Sequence, residues 1–193
     1  MKNTNRIGIG FIGGGFITRF HIKSLIGVRD CDVIGVMSKT RSSAEESCAL
    51  SKALGVGEAK PYNSVTEMVS DPAINALWIC APNFTRLEIM EEIVNAIESG
   101  KGELIGIACE KPLGRNVKEA KQMLALAKKV DLLDGYLENQ VFAPSVTKGK
   151  EIIWERGAST TGRPYLARAS EEHSGPHMPW FWEGELQGGG VLN

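Results

Sequence analysis

Three consecutive glycines, Gly13-Gly14-Gly15, separate a short apolar run, Arg6 to Ile12, from a segment with helical periodicity. No other feature restricts the fold as strongly. A glycine cluster that ends a strand and opens a helix is the arrangement in which backbone comes close to a phosphate. The stretch "RIGIGFIGGGFITRFH" also matches G-x-G-x-x-G literally at Gly8, Gly10 and Gly13. That register puts Gly8 and Gly10 inside the strand, two apart and on one face. The turn is therefore Gly13-Gly14-Gly15, and the working register is Gly13-x-Gly15-x-x-Thr18. Phe16 and Ile17 form the helix start that would face the phosphates. Thr18 is larger than the usual Gly or Ala at the third position, which predicts a helix standing slightly farther from its strand.

Strand and helix patterns then alternate. Ile17, Phe20, Leu25 and Val28 fit a helical stripe. "CDVIGVM" (31–37) reads as a strand and "SSAEESCALSKALG" (42–55) as a helix with Ser at its start and Gly at its end. Ser64 and Glu67 make a capping box. "ALWICAPN" (76–83) is a strand that stops at Pro82. Met90, Ile93, Val94 and Ile97 form a helical face closed by Gly100, and "ELIGIACEKP" (103–112) is another strand. Asn116 and Glu119 start a helix whose Ala120, Met123, Leu124, Ala127 and Val130 face inward, and "LLDGYLE" (132–138) reads as a further strand. This alternation, with continuously apolar strands, predicts an α/β fold: a doubly wound parallel sheet covered on both faces. Such sheets bind ligands at the carboxyl ends of their strands. The polar residues at those ends are the Gly turn, Ser38, Asn83 and Lys111. From about residue 140 the pattern changes: a helix with Pro144 near its start, a strand candidate at 163–173, then a shaped loop rich in Trp, Pro and Gly.

The totals narrow the function classes. Net charge is −1, with Lys and Arg spread along the chain, so neither a nucleic-acid face nor a membrane-surface helix is expected. No apolar run approaches the ~18 residues of a spanning helix. No signal peptide precedes the first strand, so the expected location is cytoplasmic. Cys31, Cys48, Cys80 and Cys109 show no C-x-x-C spacing and read as buried free thiols.

The Gly turn predicts dinucleotide binding. At the end of the second strand a carboxylate would hydrogen-bond the ribose hydroxyls of NAD. The chain has Ser38-Lys39-Thr40-Arg41 there. A hydroxyl with two cations suits a phosphate dianion, so the expected cofactor is NADP(H) or NAD(H), with a lean to NADP. In "ACEKPLGRN", Lys111 at a strand's carboxyl end stands over the cofactor crevice, where its ammonium can bond a substrate hydroxyl; the alternative is a surface Lys–Glu pair. His173 and His177 lack companions for a metal site and Gly175 and Pro176 interrupt any helix, so no metal is expected, and both read as substrate-loop or ordinary polar residues. His21 on the first helix reads as a packed or solvent-facing histidine. Trp180, Phe181 and Trp182 either wall a ligand pocket or fill the core between domains, with Trp182 the substrate candidate.

"GFIGGGFITRFH", "DPAINALWICAPN" and "CEKPLGRNVKEAKQM", in that order, together resemble the glucose–fructose oxidoreductase and inositol dehydrogenase family (Gfo/Idh/MocA). "GRPYLARASEEHSGPH…WFWEGELQGGGVL" resembles the opening of that family's second domain. The resemblance implies a Rossmann domain over 1–135, then the start, over 136–193, of an α+β substrate and dimerisation domain with a mainly antiparallel open sheet. It implies hydride transfer between NAD(P) and a secondary alcohol of a sugar or cyclitol, and a homo-oligomer in the full-length form. Glu110, Lys111 and Pro112 match the E-K-P motif, with Lys111 the catalytic lysine. Ala81, Pro82 and Asn83 match the segment beside the nicotinamide and its ribose. Arg86 stands where members commonly have His. The resemblance also predicts an Asp and a catalytic His beyond Gly188-Gly189-Gly190, past Asn193 where this sequence stops. Two rivals follow: a cofactor-sensing binding protein without catalysis, and an NAD-dependent glycosidase of the same architecture.

Overall fold

The computed structural model describes residues 6–170, 175 and 178–188. Six strands, β1 (Ile7–Ile12), β2 (Cys31–Met37), β3 (Lys60–Tyr62), β4 (Ala76–Ile79), β5 (Gly106–Glu110) and β6 (Leu133–Leu137), form one sheet in the order β3-β2-β1-β4-β5-β6. Every pairing is parallel. Helices α1 (Phe16–Ser24), α2 (Arg41–Ala53), α3 (Val65–Val69), α4 (Arg86–Glu98) and α5 (Val117–Lys129) alternate with the strands. This is the doubly wound arrangement expected of the alternation, and its order reverses direction between β1 and β4.

Strand alternation sends β1 residues to two cores. Ile9 and Phe11 join Val33, Val36, Ile22, Ala44 and Cys48 on the α1–α2 side. Ile12 joins Leu77, Ile79, Met68, Met90, Ile93 and Met123 on the α3–α5 side. Each wholly buried Leu or Ile in these layers contributes about 2 kcal/mol. Gly8 and Gly10 belong to the second face. A Cβ on Gly10 would lie 2.5 Å from Met68 Cε and 2.8 Å from Leu77 Cδ2, and one on Gly8 would strike the Ala73 carbonyl. These two glycines are packing residues of the strand.

The inward faces differ from expectation at three places. In α1 the buried residues are Thr18 and Ile22, followed by Leu25 in a 3₁₀ turn, while Phe20 and Val28 are exposed. The Thr18 hydroxyl donates to Gly13 O at 2.6 Å, which holds that side chain in and turns the stripe away from Phe20. In α5, Met123 and Ala127 are buried but Leu124 is exposed. Glu119 occupies the first inward position, drawn there by Arg115. The strand candidate at 163–173 does not form in its described part: residues 163–170 are irregular and exposed, with Tyr165 and Leu166 open to solvent. A strand needs a neighbour to pair with, and none of the described strands supplies one.

Both expected helix starts are present. Ser64 Oγ accepts from Glu67 N–H and Asn116 Oδ1 from Glu119 N–H, each at 3.0 Å. The returning carboxylates bond one residue early, at Asn63 N–H and Arg115 N–H. Pro144 opens a helix as predicted, and that helix passes through a π-helical stretch, Glu151–Gly157, to Thr161. The four cysteines are buried and free. No helix among the described residues is long and apolar enough to cross a membrane.

Tyr62 and Lys60 at the β3 edge converge on Asp71 Oδ2, at 2.6 and 2.9 Å. The Tyr62 hydroxyl, then the Lys60 ammonium, hold the Asp71 carboxyl down at about 2. A carboxyl depressed in the fold stabilises it above its unfolded value, near 4, and that contribution fades as pH falls toward 2. Asp71→Asn is expected to lower urea stability by about 2 kcal/mol at pH 7, with the gap closing by about pH 2. A gap that does not change with pH would show that the ionised carboxylate contributes nothing.

Candidate active site

The Gly turn sits where β1, β2 and β4 end together. Gly13 N–H donates to Met37 O at 2.7 Å, and Cys80 N–H donates to Ile12 O at 2.8 Å. Gly13 has φ +105°, and a Cβ there would stand 2.8 Å from Ala81 N. Gly14 O accepts from the buried Ser47 hydroxyl at 3.1 Å, as Gly13 O does from Thr18. The turn's carbonyls are thus tied inward. Gly15 differs from its neighbours: its φ is −79°, and nothing lies within 4 Å of where its Cβ would be. It is the N-cap of α1 and offers no side-chain cap, so the first amide groups of the helix and its positive dipole end face this open space. Phe16 is exposed there and Ile17 half-buried.

Ser38 follows β2 and is half-buried, while Lys39 is exposed. Arg41 opens α2, its guanidinium held by Glu45 Oε1 and Asn63 Oδ1, both at 3.0 Å. These residues therefore share one strand end, one strand away from the Gly turn.

The ends of β4 and β5 are bound to each other by Arg86, which is 5% exposed. Its Nε donates to Ala81 O at 2.9 Å and its Nη1 to Glu110 O at 2.5 Å and to Pro112 O. Burial lowers the guanidinium pKa, yet it stays charged at neutral pH. Burial likewise pushes the neighbouring thiols up, Cys80 to about 12 and Cys109 to about 11, so both are inert neutral groups.

Glu110 does not pair with Lys111. Its Oε1 meets His21 Nε2 at 2.6 Å and its Oε2 accepts Lys111 N–H at 3.2 Å. His21 reaches it from α1 through an aromatic sleeve: Trp78 edge-on at 5.0 Å, Phe11 at 6.4 Å and Phe20 at 6.4 Å. The histidine is thus a link between the phosphate-turn helix and the E-K-P turn. The Lys111–Pro112 peptide bond is cis, and the Lys111 side chain is exposed.

Asn83 is 3% exposed, and its Nδ2 donates to Gln187 O at 2.9 Å. That bond brings the helical turn Gly184–Gln187 onto the end of β4, and Arg115 Nη1 fixes it from the other side through Glu185 O at 2.9 Å. Trp180 packs on Phe84 at 5.4 Å and on Phe181 at 4.3 Å. Trp182 is 79% exposed. His173 and His177 lie outside the described residues.

The Gly turn, Ser38, Asn83 and Lys111 thus lie at the carboxyl ends of β1, β2, β4 and β5, while Trp182 belongs to a separate, exposed segment. His21, Arg86 and Gln187 are the site residues whose roles the sequence did not announce. A signal for Arg86 was present: a charged residue three places after Asn83, in a run otherwise apolar on its inward face. A dinucleotide fits this edge on two grounds. Gly15 leaves room where a side chain would otherwise stand. Asn83 Oδ1 and both amide atoms of Gln187 are buried polar atoms without a partner among the described residues, a costly state that a polar ligand relieves.

The family described as an oxidoreductase family with an NAD-binding Rossmann fold (GFO_IDH_MocA) matches residues 7–133. The chain is 30% identical to 1,5-anhydro-D-fructose reductase of Ensifer adhaerens over 95% of its own length and 51% of that protein's. It is 28% identical to myo-inositol 2-dehydrogenase of Thermotoga maritima over 87% of its own length and 46% of that protein's. It therefore spans about half the length of these curated relatives. Its fold is similar to that of GenD2 from gentamicin A biosynthesis, solved with NAD, at a TM-score of 0.66 and 23% identity, covering 80% of this chain and 40% of that one. With the turn, the strand order and the E-K-P segment in register, the chain belongs to the Gfo/Idh/MocA oxidoreductase family.

Proposed function

We propose that this protein is an NAD(P)-dependent oxidoreductase acting on a secondary alcohol of a sugar or cyclitol. The observation that carries the reading is the pairing, on one sheet edge, of an open glycine turn with an exposed lysine. Gly15 leaves clear space at the start of α1, and Lys111 is exposed at the end of β5, two strands away, with no ion pair among the described residues. In a doubly wound sheet the dinucleotide crosses the point where strand order reverses. Its adenosine half then lies toward β2 and its nicotinamide half toward β4 and β5. The relatives' named substrates, an anhydro sugar and an inositol, support the alcohol class.

Each residue has a task in this reading. Gly13 and Gly15, with the Phe16 and Ile17 amides, receive the pyrophosphate. Ser38, Lys39 and Arg41 surround the adenosine ribose and favour its 2′-phosphate. Ala81, Pro82, Asn83 and Glu110 border the nicotinamide end. Lys111 Nζ orients the reacting hydroxyl and shares its proton. The nicotinamide supplies the hydride acceptor. Residues after β6 open the substrate domain, because that strand runs to Leu137 in the parallel sheet, past the expected boundary at 135; His173, His177 and Trp182 are its candidate substrate residues.

Fluorescence titration with NADPH and NADH tests the cofactor reading, and absence of binding to both refutes it. The wild type is expected to prefer NADPH. Ser38→Asp is expected to move that preference toward NADH by at least about tenfold, ~1.4 kcal/mol, because a carboxylate repels the 2′-phosphate. A wild type that already binds NADH more tightly would overturn the role given to Ser38 and Arg41. Lys111→Met in the full-length enzyme is expected to keep cofactor affinity and lose turnover of polyols.

A further inference from the structure

The buried amide of Gln187 has a use beyond packing. Gln187 is 2% exposed, and neither its Nε2 nor its Oε1 has a hydrogen-bond partner among the described residues. Asn83, bonded to its backbone, is 3% exposed with Oδ1 likewise unpaired. The assignment of the Asn83 amide is fixed by that bond, because only its nitrogen can donate to Gln187 O. A buried amide without partners loses its hydration and recovers nothing, whereas leucine of similar volume would carry no such penalty. The segment is held firmly in place. Arg115 donates to Glu185 O, and Gly188 lies so close to the Arg115 carbonyl that a Cβ would collide with it. An amide kept in a pinned position at the joined ends of β4 and β5 calls for a polar ligand.

The inventory of unpaired groups says which. It comprises two acceptor oxygens, Asn83 Oδ1 and Gln187 Oε1, and one amide donor, Gln187 Nε2. The complement is a group with two N–H donors and one carbonyl, which is a primary carboxamide. A single hydroxyl offers one donor and leaves an acceptor unmatched, while a vicinal diol matches both oxygens; the place of Asn83 at the end of β4, the nicotinamide end in the reading above, favours the carboxamide. We propose that Gln187, together with Asn83, binds the carboxamide of the nicotinamide ring. The assignment rests on the cofactor reading above and adds to it the residue that recognises the reactive end of the cofactor.

The test compares wild type and Gln187→Leu for binding of NAD(P)H, of ADP-ribose or its 2′-phosphate, which lack the nicotinamide, and of the 3-acetylpyridine dinucleotide, in which a methyl replaces the amide nitrogen. The variant is expected to unfold at the wild-type temperature or above, since unpaired polar atoms are removed. It should bind NAD(P)H about tenfold or more weakly and ADP-ribose as tightly as wild type. Wild type should favour the carboxamide over the acetyl dinucleotide, and the variant should lose that preference. Gln187→Met, which keeps length and flexibility, takes the same role where Leu packs poorly. Unchanged NAD(P)H affinity in a folded variant overturns the assignment, as does an equal loss for ADP-ribose, which would mark a structural effect. A preference for the carboxamide over the acetyl analogue that survives the substitution also overturns it, and a sugar that restores the difference points to substrate instead. Failure of wild type to bind either ADP-ribose or a dinucleotide overturns the cofactor reading itself, and this assignment with it.

Discussion

Gly15→Val is expected to leave thermal unfolding within a few degrees of wild type while weakening NAD(P)H binding about a hundredfold or more, ~3 kcal/mol. The backbone at Gly15 has φ −79°, which any residue adopts, and no protein atom lies within 4 Å of the added Cβ. The branched side chain costs the fold little and instead fills the space a pyrophosphate needs. Gly13→Ala is the matched control with the opposite outcome. Its φ of +105° disfavours any Cβ, and the Cβ would press on Ala81 N at 2.8 Å and Cys80 C at 2.9 Å, both backbone atoms. A loss of about 3 kcal/mol, or roughly 10 °C in midpoint, follows from left-handed strain added to overpacking. Calorimetry with and without NADPH separates the two. If Gly15→Val binds cofactor normally, the turn is not the phosphate site. If Gly13→Ala is as stable as wild type, the turn is looser than its geometry indicates.

Arg86→Met should be among the most destabilising single changes in the chain. One guanidinium satisfies carbonyls of Ala81, Glu110 and Pro112, which belong to two different strand ends. Removing it leaves buried acceptors unpaired, at about 1–3 kcal/mol each, offset in part by relief of the buried charge. A net loss of about 3 kcal/mol is expected in denaturant unfolding followed by tryptophan fluorescence. Arg86→Lys should recover only part, since an ammonium cannot span the three oxygens with the fork geometry of a guanidinium. A Met variant within about 1 kcal/mol of wild type would mean the carbonyls find other donors.

The sheet was legible because its signals are local. Each strand is a short apolar run ended by Gly, Pro or a polar residue, and each long helix announces itself by periodicity or a cap. β3 was not read from the sequence; it has three residues, one of them proline, and gains its place from pairing with β2. The glycine turn could be placed after the strand because Gly8 and Gly10 fit a strand and not a turn. What sequence could not show were links between distant segments. His21 and Glu110 are 89 positions apart, and Asn83 and Gln187 are 104 apart. Nothing in the neighbourhood of His21 distinguishes a histidine aimed at a carboxylate from one facing water. The inward stripe of α1 was misjudged for a related reason. Apolar periodicity favoured Phe20, but the Thr18 hydroxyl had a carbonyl to satisfy, and its burial rotated the helix.

The His21–Glu110 contact gives the crevice a mechanical property. α1 begins at the glycine turn, and a little over one helical turn later it grips the residue next to Lys111. The two proposed landing places of an extended dinucleotide are therefore braced by a single short strut rather than by two independently moving loops. A molecule that fits must have the span the protein dictates, since neither end can shift to meet a shorter one. The same strut couples fluctuations: when the start of α1 frays, Glu110 loses its anchor, and the lysine beside it loses its fixed bearing. On the proposed reading, occupation of the glycine turn would quiet that fraying and stiffen the Lys111 end before an alcohol arrives.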